Sequence, residues 1–333
     1  MPPQPIPVRI AGLGHYLPER IVTSSELEEK YNLAPGWIET VAGVRQRRYA
    51  DRETTASMAA AAARQALDAA GLQAKDLDAI IGACTGPQQA IPCTAALVQA
   101  ELGAPEGASA CFDVNATCLS FLFALHNAAL LIANGAYQRV LIFSSEIASI
   151  SLNPDEPESA VLFGDGAAAA VITCSPARDS AALWHTRFAT YSGGADLTRI
   201  LGGGTLHHPN HPATTRQMNQ FHMDGPAVFK KAARLVTPFL DQFFTELGWQ
   251  RSDLQAIVPH QASGHAVRLV AARMGFAEER VFSNIAVRGN CVAASIPLAL
   301  SEAAQANFIQ RGQRLLLLGS GAGLTLGAMA LTY

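Results

Sequence analysis

Cys118 is the residue whose surroundings most clearly suggest chemistry. It lies between an apolar run, Ala110 to Val114, that predicts a buried strand and a helical pattern that continues from Leu119 to about Ile132. A thiol near a helix N-terminus meets unpaired N–H groups and the positive end of the helix dipole, which lower its pKa. Cys118 is therefore a candidate nucleophile, although a cysteine in an apolar run can equally be a small core residue.

Three features later in the chain could serve the same chemistry. His260 follows an apolar segment, and the carboxyl end of a buried strand is where α/β folds place ligand contacts, yet a lone histidine there is more often structural. Asn290 lies in a Gly-Asn turn before an Ala-rich helix, where a turn or capping role is the simpler interpretation. The glycines of Leu318–Gly327 allow backbone N–H groups to approach a ligand closely.

Two internal matches indicate that the chain is duplicated. Gly71–Ile81 resembles Gly248–Val258 at an offset of 177 residues, and Arg139–Ser145 resembles Arg314–Ser320 at an offset of 175. Two separate matches at nearly the same offset favour duplication over chance. The predicted domains are residues 1–175 and 176–333.

Each half repeats the same order of elements. An Ala-rich helix, predicted over residues 54–70 and again over 226–247, precedes an apolar strand, predicted over 78–84 and 255–259. Helices that alternate with buried strands predict an α/β fold with helices layered on sheets.

Composition excludes several function classes. The chain has 333 residues, 49% hydrophobic and 15% charged, and its formal net charge of −3 gives no support for nucleic-acid binding. The N-terminus lacks the basic and apolar regions of a secretory signal, and no apolar run reaches the ~20 residues of a membrane span. The six cysteines include no Cys-x-x-Cys pair, which favours free thiols and a cytoplasmic location.

Two weaker motifs do not predict a site. The His-rich segment Leu206–Pro212 lacks the histidine spacing and acidic neighbours of a metal site, so a surface or pocket loop is expected. Gly12-Leu-Gly14 follows a strand, but Leu17 breaks the dinucleotide-binding fingerprint.

Taken together, these segments resemble the thiolase superfamily, and most closely its 3-oxoacyl-[acyl-carrier-protein] synthase III family. The order and spacing of these segments agree with the family pattern over almost the whole chain. The resemblance implies a thiolase-like duplicated α/β/α/β/α layered fold with two pseudo-twofold-related halves. The matching stretches are Gly36–Arg48, the Cys118 turn, Leu162–Gly166, Met223–Gly225, Pro259–Ala262, Gly289–Asn290 and the terminal glycine segment.

By resemblance, Cys118 accepts an acyl group as a thioester, and the backbone N–H groups of Cys118 and Ala322 form the oxyanion hole. His260 and Asn290 would bind the thioester carbonyl of a malonyl group and stabilise the enolate formed as carbon dioxide leaves. The enolate then attacks the acyl group to give a 3-oxoacyl product. Decarboxylation generates the nucleophile, so no metal or redox cofactor is expected.

The resemblance also implies binding residues and partners. Trp37, Ile91 and Met223 would contact substrate, while Lys230 and Arg273 would dock the acidic acyl carrier protein. The expected partners are acyl-CoA, acyl carrier protein and a second copy of the chain in a homodimer, with no nucleic acid and no membrane.

Three positions depart from the family pattern. Val41 and Pro157 stand where members often carry arginines that contact coenzyme A, so the acyl donor is open between acyl-CoA and a carrier-protein thioester. Ile91 stands where acetyl-preferring members often carry phenylalanine at the pocket end, contributed across the dimer. A smaller residue there predicts a longer acyl chain, although ordinary loop packing is the alternative.

Two other activities compete with decarboxylative condensation. Head-to-head condensation of two acyl-CoAs uses a glutamate base from the loop before the nucleophile, and residues 79–100 contain no glutamate. Members that transfer acyl groups to small molecules usually alter the Cys or Asn position, whereas Cys118, His260 and Asn290 are all present.

Overall fold

The computed structural model describes residues 4–333, which form thirteen strands and ten α-helices. The strands are β1 Val8–Tyr16, β2 Arg20–Thr23, β3 Gln46–Tyr49, β4 Ala79–Gly82, β5 Ala110–Asp113, β6 Arg139–Glu146, β7 Gly166–Cys174, β8 Ala182–Gly194, β9 Thr198–Arg199, β10 His222–Met223, β11 Ala256–Pro259, β12 Arg314–Gly321 and β13 Gly323–Thr332. The helices are α1 Ser24–Lys30, α2 Trp37–Ala42, α3 Thr55–Ala70, α4 Thr94–Leu102, α5 Ser120–Ala133, α6 Pro157–Ala160, α7 Gly225–Leu247, α8 Gly264–Met274, α9 Ile285–Arg288 and α10 Ser295–Gln305.

Two main sheets have corresponding strand orders. The first is β1-β7-β6-β4-β5 and the second is β8-β13-β12-β11, with two small hairpin-like pairs, β2–β3 and β9–β10, outside them. In each sheet one corresponding pair, β4–β6 or β11–β12, is parallel. The corresponding pairs β1–β7 and β8–β13, and β6–β7 and β12–β13, are antiparallel. In the first sheet β5 pairs with β4. At the corresponding place in the second sheet, β11 makes an isolated bridge between Ile257 and Val281.

The strands divide their side chains between two helical layers because successive residues point to opposite faces of a sheet. Ile81 and Leu317 face a central layer formed by α5 and α10, which packs between the two sheets. Ile80 packs with α3 and α4 on one outer face, and Leu316 packs with α7 on the other. The result is the predicted α/β/α/β/α arrangement, and the fold class is confirmed.

Local sequence sets the ends of the long outer helices. The Thr54 side chain caps α3 by accepting the N–H of Ser57, and Gly71 ends the helix at a φ of 66°. Asp224 caps α7 by accepting the N–H of Ala227, and Gly248 ends it at a φ of 76°. Side-chain caps and left-handed glycines satisfy the backbone groups that helix ends leave unpaired.

The segment before Cys118 differs from its prediction. Residues Ala110–Asp113 form a strand as expected, but it is the exposed edge of the first sheet and its residues are exposed or half-buried. An apolar run alone does not distinguish an edge strand from a central one, because burial depends on the neighbouring strand.

Candidate active site

Cys118 lies in a tight turn between β5 and α5, within a 3₁₀ segment over Thr117–Leu119. Thr117 has a φ of 52°, a left-handed conformation that costs a β-branched residue on the order of 1–3 kcal/mol. Neighbouring hydrogen bonds hold it: the Thr117 N–H donates to Asn115 Oδ1 at 2.9 Å, and Ser120 Oγ donates to the Thr117 carbonyl at 2.7 Å. The turn therefore fixes the backbone that carries the thiol.

Two backbone N–H groups, those of Cys118 and Ala322, face the Cys118 sulfur and favour its anionic form. Ala322 lies between β12 and β13 in the Gly-rich segment. Its neighbour Gly321 approaches the Cys118 turn so closely that a Cβ would lie 2.7 Å from Thr117 Oγ1. Two convergent N–H donors at a nucleophile can hold the oxyanion of an acyl-transfer intermediate.

The expected lowering of the Cys118 pKa is wrong for this structure. Burial, reinforced by the nearby Glu146 carboxyl, raises the pKa of Cys118 to about 12. Helix α5 begins only at Ser120, beyond the thiol, and the loss of hydration outweighs the N–H groups that favour the thiolate. The thiol is therefore protonated at neutral pH and must lose its proton as it reacts.

His260 follows β11 and is 7% exposed. The backbone N–H of His260 donates to the Leu318 carbonyl at 2.7 Å. A Cβ added to Gly319 would lie 2.8 Å from the Cβ of His260. Burial lowers the pKa of His260 to about 4, and within residues 4–333 its buried Nδ1 has no hydrogen-bond partner. The imidazole is therefore neutral at pH 7 and can donate one hydrogen bond to a carbonyl oxygen.

Asn290 follows Gly289, whose φ is 67°, and is 7% exposed. Its Oδ1 accepts the N–H of Val292 at 2.9 Å, which agrees with the turn role. Its Nδ2 donates to the Ala262 carbonyl at 3.4 Å, so the amide also contacts the loop that carries His260.

Buried Gln261, which the sequence reasoning missed, joins these two loops. Its Oε1 accepts the N–H groups of Asn284 at 3.2 Å and Ile285 at 3.3 Å, at the start of α9. Its Nε2 donates to the carbonyl of Pro259 at 2.9 Å. The side chain after His260 therefore fixes the distance between the imidazole and the loop that leads to Asn290.

The other predicted residues lie at three separate places. Trp37 and Met223 are half-buried and pack against the same apolar cluster, which includes Ile38 and Phe163. Ile91 is 84% exposed in the loop between β4 and α4, so within one chain it closes no pocket.

The two predicted docking residues lie on neighbouring helices. Lys230 is exposed on α7, and the exposed Arg273 of α8 donates to the Ala233 carbonyl of α7 at 3.2 Å. The two positions that depart from the family pattern are Val41, which is 37% exposed on α2, and Pro157, which begins α6.

Neither a membrane-spanning helix nor a metal-binding cluster is found among residues 4–333. None of its helices combines the length and the apolar character that a membrane span requires. No group of three or more His, Cys, Asp or Glu side chains within residues 4–333 is arranged to hold a metal ion, and this includes the His-rich loop.

Comparison with known proteins gives consistent matches. Family models described as 3-oxoacyl-[acyl-carrier-protein] synthase III match residues 112–192 and, for its C-terminal part, 244–333. A Streptomyces coelicolor protein named beta-ketoacyl-[acyl-carrier-protein] synthase III 3 is 38% identical over 97% of this chain and 96% of its own length. A Chelativorans protein named beta-ketoacyl-[acyl-carrier-protein] synthase III is 36% identical over 97% of this chain and 98% of its own.

Solved structures agree with the sequence matches. The 3-oxoacyl-(acyl carrier protein) synthase III of Pseudomonas aeruginosa superposes with a TM-score of 0.88 at 35% identity, covering 98% of both chains. OleA from Xanthomonas campestris superposes at 0.87 with 24% identity, covering 100% of this chain and 98% of its own, a likeness of fold alone. The predicted family and enzyme class are confirmed: this chain belongs to the 3-oxoacyl-[acyl-carrier-protein] synthase III family of acyl-transferring condensing enzymes.

Proposed function

We propose that this chain condenses an acyl thioester, supplied as acyl-CoA, with malonyl-[acyl carrier protein] and releases carbon dioxide and a 3-oxoacyl-[acyl carrier protein]. The observation that carries the proposal is that the Cys118 turn and the His260 loop meet at Gly319, where an added Cβ would lie 2.8 Å from His260 Cβ and 3.0 Å from Leu119 Cδ2. The Cys118 thiol faces two N–H groups, a neutral imidazole lies at His260, and the Asn290 amide contacts the loop of that imidazole.

The first half-reaction is acyl transfer to Cys118. The sulfur bonds to the acyl carbonyl carbon, the thiol proton passes to the departing coenzyme A thiolate, and the N–H groups of Cys118 and Ala322 hold the intermediate oxyanion. The high pKa of Cys118 makes this proton transfer part of the chemical step.

The second half-reaction forms the carbon–carbon bond. Carbon dioxide leaves the malonyl group, and its bonding electrons form an enolate whose oxygen accepts hydrogen bonds from His260 and Asn290. The enolate carbon attacks the acyl carbonyl, and collapse of the oxyanion releases the Cys118 sulfur as a thiolate, which takes a proton from water. Neither half-reaction requires a metal or redox cofactor, and dialysis against a chelator should leave the rate unchanged.

Intact-protein mass spectrometry after incubation with an acyl-CoA series tests this function. The expected result is one acyl group on Cys118, its discharge on addition of malonyl-[acyl carrier protein], and release of carbon dioxide. Cys174→Ala, which removes an exposed thiol, should behave as the wild type. Condensation of two acyl-CoAs without carbon dioxide release would instead support the head-to-head reaction.

We also propose that the acyl pocket takes chains longer than acetyl and is completed across a homodimer. Exposure of Ile91 and of the unpaired β5 edge supports a second copy at this face. Each buried methylene contributes about 0.8 kcal/mol, so Ile91→Phe should shift preference toward short acyl groups. Competition between acetyl-CoA and octanoyl-CoA measures this, and an unchanged length profile would contradict it.

Carrier-protein docking is proposed for the face that holds Lys230 and Arg273. Lys230→Glu should raise the KM for malonyl-[acyl carrier protein] while leaving acyl transfer from acyl-CoA to Cys118 unchanged, because a surface charge steers the carrier and does not touch the thiol. Equal KM values for the variant and the wild type would remove Lys230 from the docking surface.

A further inference from the structure

A chain of hydrogen bonds runs from the buried carboxyl of Glu146 to the turn that carries Cys118. Glu146 ends β6, is 6% exposed, and accepts the N–H of Thr85 at 2.6 Å. The Thr85 carbonyl accepts a bond from Asn115 Nδ2 at 2.8 Å, and Asn115 Oδ1 accepts the N–H of Thr117 at 2.9 Å. The chain thus ends at the residue before the nucleophile.

The last bond acts on a backbone conformation that needs support. Thr117 holds a φ of 52°, which a β-branched residue keeps only where its surroundings fix it. Its conformation orients the next peptide N–H, which is that of Cys118 and one of the two donors facing the sulfur. A loosened Thr117 would therefore misplace both the sulfur and its oxyanion donor.

We propose that Asn115 and Glu146 are positioning residues for the nucleophile. Glu146 anchors the Thr85 peptide, and Asn115 links that anchored peptide to Thr117. Both act through other groups. The acyl-transfer readout below rests on the proposed function, whereas alkylation of the thiol does not.

The burial of Glu146 makes the ionisation of the nearby thiols depend on the protonation state of its carboxyl. Burial raises the pKa of Glu146 to about 8, so the carboxyl is largely neutral at pH 7. Above that pH its negative charge disfavours a thiolate nearby. Within residues 4–333, the charge of Glu146 raises the pKa values of the thiols of Cys84, Cys118 and Cys291.

The first test measures acyl transfer from acyl-CoA to Cys118 in folded variants. Asn115→Ala should slow acylation at least about tenfold, because one misoriented oxyanion donor has effects of this size or larger. Asn127→Ala is the matched control, since the Asn127 Nδ2 donates within its own helix to the Phe123 carbonyl, and the acylation rate of this variant should be unchanged. Asn115→Asp keeps an acceptor for the Thr117 N–H, so its acylation rate should fall by less than that of Asn115→Ala.

Measured without acyl-CoA, decarboxylation of malonyl-[acyl carrier protein] by Asn115→Ala should stay near the wild-type rate, since His260 and Asn290 are untouched. Wild-type acylation in Asn115→Ala, or an equal loss in Asn115→Asp, would overturn the proposal. If the wild type itself is not acylated, the proposed function fails instead.

The second test concerns Glu146, and its first part needs no substrate. Alkylation of Cys118 by iodoacetamide, followed by peptide mass spectrometry, gives the pH profile of the thiol. Glu146→Gln keeps an oxygen for the Thr85 N–H and removes the charge, so its profile should move to lower pH. Glu146→Leu loses the anchor, and adding Asn115→Ala to it should give little further loss of acylation. An unmoved profile in folded Glu146→Gln would overturn the role of Glu146 whether or not Asn115→Ala folds, and additive losses of acylation would overturn its link to Asn115.

Discussion

The turns at residues 115–120 and 290–295 are built alike. Each begins with an asparagine whose Oδ1 accepts the N–H two residues later at 2.9 Å. That later residue has a positive φ in both turns, 52° at Thr117 and 49° at Val292. Each turn then passes through a 3₁₀ segment into a helix that starts at a serine. Their separation of 175 residues equals that of the matching strands β6 and β12, which agrees with the predicted duplication.

The two turns use different positions for chemistry. The fourth residue of the first turn is Cys118, whereas the fourth residue of the second is the fully buried Ala293. The first residue of the second turn, Asn290, donates to the loop of His260, whereas its counterpart Asn115 donates to Thr85. The two turns therefore share one backbone geometry, and side-chain identity and neighbours separate a nucleophile from a hydrogen-bond donor.

Moving the thiol between the turns gives the largest expected effect. Cys118→Ala should abolish acyl-enzyme formation and lower condensation at least about a thousandfold, because removal of a nucleophile eliminates the covalent step. Adding Ala293→Cys should not restore it, since the Ala322 N–H faces the first turn. Intact mass spectrometry checks both variants, and an acyl group on residue 293 would show that the turns are interchangeable.

Loss of the donors at the second turn should divide the half-reactions. His260→Ala and Asn290→Ala should each lower decarboxylation about a hundredfold to a thousandfold, the usual cost of one oxyanion donor. Acylation of Cys118 should fall by much less, because these side chains are assigned to the malonyl carbonyl. Single-turnover acylation and carbon dioxide release measure the two steps, and normal condensation with failed acylation would contradict the assignment.

The glycines that face the site allow a finer comparison. A Cβ at Gly321 meets Thr117 Oγ1 at 2.7 Å, and one at Gly319 meets the His260 Cβ at 2.8 Å. Both alanine variants should destabilise by about 1–3 kcal/mol through overpacking, with Gly321→Ala mainly slowing acylation and Gly319→Ala mainly slowing decarboxylation. Gly204, which has open space around it, is the control position. Equal losses of both steps in both variants would mean that the clashes spread beyond one turn.

The sequence predicted the layered fold and several element boundaries because periodicity and repeats are local patterns. The expected helix over 226–247 forms at Gly225–Leu247. Glu146 was missed because a carboxylate at a strand end is ordinarily solvated, and its burial depends on loops distant in sequence. The lowered Cys118 pKa was wrong for the same reason: the helix end is local, but desolvation is set by tertiary packing. The 175-residue offset between Asn115 and Asn290 was the available signal for the shared turn.

The strand ends before these turns differ in one ionisable group, which gives the smallest expected effect. At the 177-residue offset, the place of His260 is taken in the first half by Ala83, which is fully buried. Burial holds the pKa of His260 at about 4, below its ordinary value of 6.5. As pH falls below 6.5 the unfolded chain binds a proton at His260, which the folded chain does not bind until about pH 4, so the free energy of unfolding falls across this window.

The loss of stability should reach about 3 kcal/mol at most, from about 1.4 kcal/mol for each pKa unit. His260→Gln and His260→Ala should both lack this part of the pH dependence, even if their stabilities at pH 7 differ. Urea unfolding at intervals from pH 7 to 4 measures it, and parallel curves for the wild type and both variants would contradict a neutral buried imidazole.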